Sequence, residues 1–182
     1  VRVVDVNGDG RDETLRGALT LGPDGKVLYA KDEGHGDEFR VGDLDPDRPG
    51  LEVWMGYERA GYPKGVQLYD ATTGECIWGF KNLIDMGKSL AAPLDPNFKG
   101  YHLWSEDVGL YDIKGKQLTK NEPRCKHEVW WDADLCRELV NGNRIDKYDI
   151  ATHTQSTIQT LHDASYVGGG WAVALGDWRE EI

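Results

Sequence analysis

The stretch Asp5-Val6-Asn7-Gly8-Asp9-Gly10-Arg11-Asp12-Glu13 sets oxygen-bearing side chains at alternating positions with glycines between them. Side chains at the first, third and fifth positions of such a loop converge, and Gly8 and Gly10 let the backbone wrap tightly, an arrangement suited to calcium. The ligand set read from it is Asp5, Asn7, Asp9, the carbonyl of Arg11, and Glu13. An EF-hand is excluded, because the following residues read as a strand and Arg16 stands where a bidentate glutamate would close the site. Without an ion, the same residues make a polar Asp/Gly turn.

Asp-rich turns recur further along the chain. Asp5, Asp43, Asp95, Asp134 and Asp177 are 38, 52, 39 and 43 residues apart. Between them lie short β-type runs, Val1 to Val6, Lys26 to Tyr29, Leu51 to Gly56, Gly65 to Tyr69, Tyr101 to Trp104, Gly109 to Ile113 and Trp171 to Leu175, punctuated by turns such as Thr73-Gly74 and Lys114-Gly115. Helical periodicity is almost absent, so the fold class is all-β. A period of about 40 to 50 residues is that of a four-stranded propeller blade, and residues 1–182 are expected to form a partial β-propeller of about four blades, too few to close comfortably alone. Both ends read as strands cut from a longer polypeptide, whose remaining blades would be the first partner of this segment.

Composition narrows the function. The chain of 182 residues is 39% apolar and 10% aromatic, which is globular, and no run approaches the roughly 20 apolar residues of a membrane helix. With 32 acidic against 21 basic residues and a net charge of -11, it lacks the basic face that counterion release from nucleic acid requires. Cys76, Cys125 and Cys136 have no CxxC spacing, which argues against zinc and leaves at least one thiol unpaired.

The second turn, Asp43-Leu44-Asp45-Pro46-Asp47-Arg48-Pro49-Gly50-Leu51-Glu52, repeats the alternation and suits a second calcium through Asp43, Asp45, Asp47 and Glu52, although Pro46 and Pro49 alone make a rigid turn. The third has Pro93 and His102 at the ends of the pattern and is read as holding no ion. In Gly34-His35-Gly36-Asp37, His35 is a metal ligand, a base, a substrate contact or a plain loop residue. Trp130-Trp131-Asp132-Ala133-Asp134-Leu135-Cys136-Arg137-Glu138-Leu139 and Gly176-Asp177-Trp178-Arg179-Glu180-Glu181 pair aromatics with charges, for sugar binding or for ion pairs between blades. Lys88, beside Gly87, is either a solvated lysine or a cation collected at the central face for an anionic polymer.

Taken in order, Gly-His-Gly-Asp, Asp-x-Asp-Pro-Asp-Arg-Pro-Gly-x-Glu-Val, Trp-Trp-Asp-x-Asp-Leu-x-Arg-Glu-Leu and Gly-Asp-Trp-Arg-Glu-Glu resemble the family 11 polysaccharide lyases, the rhamnogalacturonan lyases, from Val1 to Ile182. The resemblance implies an eight-bladed, calcium-rich propeller, secreted or periplasmic, that cuts rhamnogalacturonan I of pectin by β-elimination. Its substrate would be an anionic plant or algal polysaccharide, its cofactor Ca2+, and the turns at Asp5 and Asp43 would be family calcium turns. Lys88 stands where the family usually has an arginine between glycines, and Ser89 replaces the second glycine. Arg40 takes the place of a second histidine, and residues 163–170 replace an Asn-Gly-Thr-Lys segment. For the lyase step, Lys88 is the first candidate, with Tyr166, Arg40 and His35 named for proton transfer. The reading from another class is a non-catalytic, calcium-stabilised propeller of the FG-GAP kind that binds glycan or protein.

Overall fold

Four times along the chain a short strand runs into an Asp-rich turn, returns antiparallel, and is followed by two further antiparallel strands. The first sheet is β1 (Arg2–Val4), β2 (Glu13–Arg16), β3 (Leu19–Leu21) and β4 (Val27–Ala30), and the second is β5 (Phe39–Gly42), β6 (Glu52–Gly56), β7 (Val66–Asp70) and β8 (Cys76–Phe80). The third is β9 (Ser89–Ala92), β10 (His102–Ser105), β11 (Gly109–Asp112) and β12 (Gln117–Thr119), and the fourth is β13 (His127–Val129), β14 (Glu138–Asn141), β15 (Arg144–Asp149) and β16 (Thr154–Thr160). Two further short strands, β17 (Val173–Ala174) and β18 (Glu180–Glu181), pair with each other. The structure, a computed structural model, describes residues 1–36, 38–58, 65–81, 86, 88–161, 173–174 and 180–181, and no helix occurs among them. The all-β expectation is met.

Local chemistry sets these hairpins. Gly25, Gly74, Gly115 and Gly142 close turns with φ between +65° and +88°, a region where a side chain would cost about 1 kcal/mol or more. Each four-stranded sheet shows a register shift between its third and fourth strands, at Thr20/Leu21, Leu68/Tyr69, Leu110/Tyr111 and Ile145/Asp146. Such bulges increase twist, and the fourth strands carry most of the exposed positions.

Packing follows chain order. Val6 and Leu15 of the first sheet meet Phe39, Val53, Met55 and Tyr69 of the second. Trp54, Val66 and Leu68 meet Ala91, Leu103 and Ile113, and Leu90, Trp104 and Leu110 meet Leu139 and Tyr148. A middle sheet is therefore covered on both faces, which is why β6, reading Glu-Val-Trp-Met-Gly, is buried at every residue. Full burial of one such Trp or Tyr contributes on the order of 2 kcal/mol or more. Buried polar atoms tie the layers: Tyr29 Oη donates to Ala71 O at 2.9 Å, Trp54 Nε1 to Trp104 O at 2.9 Å, and Trp78 Nε1 to Ile113 O at 2.9 Å. The first strands β5, β9 and β13 neighbour one another, and Glu38 and Lys88 form a parallel bridge beside them.

Candidate functional site

The neighbouring first strands gather charge at their leading ends. Arg40 on β5 makes a bidentate pair with Glu128 on β13, Nε and Nη2 each donating at 2.5 Å, and its Nη1 donates to Glu38 at 2.9 Å. Glu128 is 4% exposed and also accepts Ala91 N of β9 at 3.2 Å, so one carboxylate joins three sheet segments. Burial works to raise the Glu128 carboxyl, but Arg40 outweighs it and holds the group below its usual range. Conversely, Glu128 and Glu38 overcome the desolvation of Arg40 and raise its proton affinity. Arg40 thus supplies a fixed positive charge, and its sequence-based role in proton transfer does not suit a guanidinium so held. His127, the first residue of β13, lies 3.9 Å from Glu38 through Nδ1, and burial lowers its pKa despite that acid, leaving it largely neutral at pH 7.

Lys88 opens onto a cavity of about 430 Å³ between the third and fourth sheets, a volume within the range of small-ligand sites. Arg124 and Lys126 add basic groups to its wall, and Glu106 and Glu122 add acidic ones. Trp104 lies against it, 1% exposed, with no hydrogen-bond partner for its indole N–H among the described residues. A lining that mixes the bases Lys88, Arg124 and Lys126 with the acids Glu106, Asp107 and Glu122 can meet both the charge and the hydroxyls of an anionic sugar.

His35 belongs to a different hollow, of about 560 Å³, lined by Arg16, Lys31 and Phe39 among others. Its Nδ1 lies 2.9 Å from Glu58 Oε1, and its carbonyl accepts Glu58 N at 2.7 Å. Gly36 is needed because a Cβ there would collide with the Gly56 carbonyl oxygen, and Gly34 has φ +86°. Much of the Gly-His-Gly pattern is therefore explained by a tight crossing over the end of β6. Asp37 and Tyr166 lie outside the described residues.

The four described Asp-rich turns each connect a first strand to a second and are closed by a buried acceptor at the start of the second strand, while Asp177 lies outside the described residues. Glu13 accepts Val6 N at 3.0 Å, Glu52 accepts Leu44 N and Asp45 N at 3.0 Å, and Glu138 accepts Trp131 N at 3.0 Å. In the third turn, the one read as holding no ion, His102 keeps this scaffold role: Nδ1 accepts Leu94 N at 3.3 Å, and burial lowers its pKa.

The proposed calcium ligands are arranged differently in the first two turns. Asp5 accepts the amides of Gly8, Asp9 and Gly10 at 2.7 to 3.2 Å, a set led by Gly10 that lowers its pKa. Asn7 Oδ1 accepts Asp9 N, and Asp9 Oδ1 accepts Arg11 N, each at 2.9 Å. This donor set is all oxygen, the preference of a hard cation. In the second turn, Lys114 Nζ meets both oxygens of Asp45 at 2.7 and 2.8 Å and Asp47 at 3.4 Å, while Lys99 also pairs with Asp47. Asp43 makes none of these contacts.

Among the described residues, one set of three potential ligands gathers within 4.8 Å: Asp132, Asp134 and Glu138 of the fourth turn. Sequence reasoning took these residues for sugar contacts or ion pairs between blades. Their ion pairs are instead with Lys147 of the same sheet, while Arg137 stacks on Trp130 at 5.1 Å. The signal was in the spacing, since Trp130, Asp132, Asp134 and Glu138 stand at the intervals of Asp5, Asn7, Asp9 and Glu13. His127 and Glu128 carried no comparable signal, because they reach Glu38 and Arg40 only once the first strands lie together.

Comparisons with known proteins agree along the whole chain. The model for the rhamnogalacturonan lyase family 11 C-terminal domain matches residues 1–182. Rhamnogalacturonan endolyase YesW of Bacillus subtilis (strain 168) is 38% identical over 187 residues, covering 99% of this chain and 30% of the relative. Rhamnogalacturonan exolyase YesX of the same organism is 38% identical over 203 residues, covering 99% and 33%. The crystal structure of YesW superposes with a TM-score of 0.85 at 37% identity, and that of a Bacillus licheniformis rhamnogalacturonan lyase with 0.85 at 39%, each over 98% of this chain and 32% of the other. The chain thus spans about a third of the length of the relatives it matches.

Proposed function

Because this chain belongs to rhamnogalacturonan lyase family 11, we propose that it is part of a lyase that cleaves rhamnogalacturonan I by β-elimination. The observation that carries the reading is the match along 99% of this chain to relatives named rhamnogalacturonan endolyase and rhamnogalacturonan exolyase. In the same reading, the four sheets are blades of a larger propeller with β5, β9 and β13 lining its centre, and the first turn holds calcium. Val1 and Val3, 70% and 63% exposed, offer an apolar face to the remaining blades. A lyase for a plant cell-wall polymer works outside the cytoplasm, so export is expected.

Elimination requires loss of the C5 proton of a uronate and departure of the 4-linked oxygen. A cation on the carboxylate acidifies that proton, and a base within about 3 Å removes it. Lys88 is the group assigned to the carboxylate, its backbone fixed by the parallel β-bridge to Glu38. The Arg40–Glu128 pair fixes the strands on either side, so the charge is presented without reorganisation. Tyr166 and the neutral His127 are the candidates for the base. Calcium, when bound, would supply scaffold rigidity or a second positive charge for the carboxylate.

The test is to incubate the full-length protein with rhamnogalacturonan I and follow the ultraviolet absorbance of the unsaturated product, with and without chelator. Product is expected, with loss of at least about 100-fold in Lys88→Ala, the scale of removing one transition-state charge contact. Binding of the polymer with no product under any condition sinks the lyase reading in favour of a non-catalytic propeller.

A further inference from the structure

The fourth turn is built around a cation that the chain itself provides. Lys147 Nζ lies 2.6 Å from Asp132 Oδ2 and 3.3 Å from Glu138 Oε1, and it also pairs with Asp134 Oδ2. The ammonium, which has donors and no acceptor, donates hydrogen bonds to Asp132 and Asp134, and its charge faces the buried Glu138 Oε1, which accepts no hydrogen bond among the described residues. The lysine is no wandering surface group: its backbone is paired with Ser156 in the β15–β16 ladder and its side chain is only 32% exposed. Glu138, at its inner end, is fully buried.

Position in the sheet makes the substitution specific. Across from the turn-closing residue, the third strand carries Asp70 opposite Glu52 and Asp112 opposite His102. Continuing the β14–β15 register one step from Leu139↔Asp146 brings Lys147 opposite Glu138. Where two sheets place another acid, the fourth places a base. A calcium ion at its usual 2.3–2.6 Å from these oxygens would stand on the ammonium, and two cations would share one small space.

We propose that Lys147 is the resident cation of the fourth turn, which therefore takes no divalent ion in this protein although its three acids have metal-ligand spacing. The consequence reaches the functional site. β13 carries His127 and Glu128 at one end and runs into this turn at the other, so the strand is anchored by a charge that chelators cannot remove. The inference stands independently of the lyase assignment.

Terbium(III), whose emission is sensitised by nearby tryptophan, tests this on the full-length protein because Trp131 adjoins Asp132 and is 42% exposed. In the wild type, terbium emission is expected to be the same with and without Trp131→Phe. Lys147→Met should gain one ion per chain and several-fold more emission, which Trp131→Phe then lowers and Asp134→Asn removes, whereas Lys147→Arg should gain none. Wild-type emission that falls on Trp131→Phe overturns the proposal, a reading that holds even if Lys147→Met does not fold. So does a folded Lys147→Met that binds no further ion.

Discussion

In the first turn Asp5 is met by the amides of Gly8, Asp9 and Gly10, whereas in the fourth the equivalent residue is Trp130, and Lys147 fills the space among the acids. The intervals are the same, and so is the glutamate that closes each turn. What differs is the source of positive potential. A backbone that curls to aim several amides at one carboxylate needs glycines, and the first turn has them at φ +75° and +84°. A turn neutralised by a side chain can dispense with them, and Ala133 stands where Gly8 does, at φ +63°. Equal spacing therefore does not imply equal dependence on a dissolved ion.

The largest break in this comparison should come from Glu138→Ala. It removes a fully buried acid that accepts Trp131 N and faces the partly exposed Lys147, so about 1–3 kcal/mol for the lost acceptor is joined by up to about 1 kcal/mol of charge pairing. Glu13→Ala removes a buried acceptor for Val6 N without an ammonium partner, and about 1–3 kcal/mol is expected. Urea midpoints of the two variants check the order, and equal losses would mean that Lys147 adds little.

Chelation should separate the turns next. Amide exchange at Gly8 to Gly10 is expected to accelerate at least several-fold when calcium is stripped, while Asp134 to Cys136 amides keep their protection. Exchange mass spectrometry with and without chelator reads both turns in one sample.

The third turn offers a titratable version. His102 accepts Leu94 N and has its pKa lowered by burial, so the folded state resists the proton that the unfolded chain accepts near pH 6.5. Its contribution is present above that pH and is lost as pH falls below it, toward the depressed folded value. His102→Gln keeps an acceptor without titrating, so the stability loss between pH 7.5 and about 5.5 should be smaller in the variant, by no more than about 1.4 kcal/mol, the ceiling for one proton over that interval.

The smallest effects are conformational. Gly8→Ala has open space for its Cβ, so its cost should be the left-handed backbone alone, about 1 kcal/mol. Ala133→Gly relieves the same strain at the same step, and a gain below about 1 kcal/mol is expected because glycine also loosens the unfolded chain. Thermal midpoints of this reciprocal pair show whether the two turns share one backbone path.

Much of the fold was legible. Asp-turn spacing located the first-to-second-strand connection of each four-stranded sheet, and the runs at Leu51 to Gly56 and Gly109 to Ile113 fall on β6 and β11. Strands such as β9 (Ser-Leu-Ala-Ala) and β13 (His-Glu-Val) were missed, since three or four residues without alternation give no periodic signal. Among the candidate site residues, Lys88 is picked out by its charge beside glycine, and it lines a cavity. Arg40 was identified by family position but not in its paired state.

By itself the sequence determined what local chemistry controls: alternating oxygens and glycines that force turns, apolar runs that must be buried, and a repeat that makes like units. Tertiary structure decided which charges meet. Arg40 and Glu128 are 88 residues apart and touch only because β5 and β13 flank β9. Lys147 enters the fourth turn only because the β14–β15 register carries it there. Contacts of that kind depend on register and on the packing of whole sheets, so a cation's final partner is fixed only when the chain has folded.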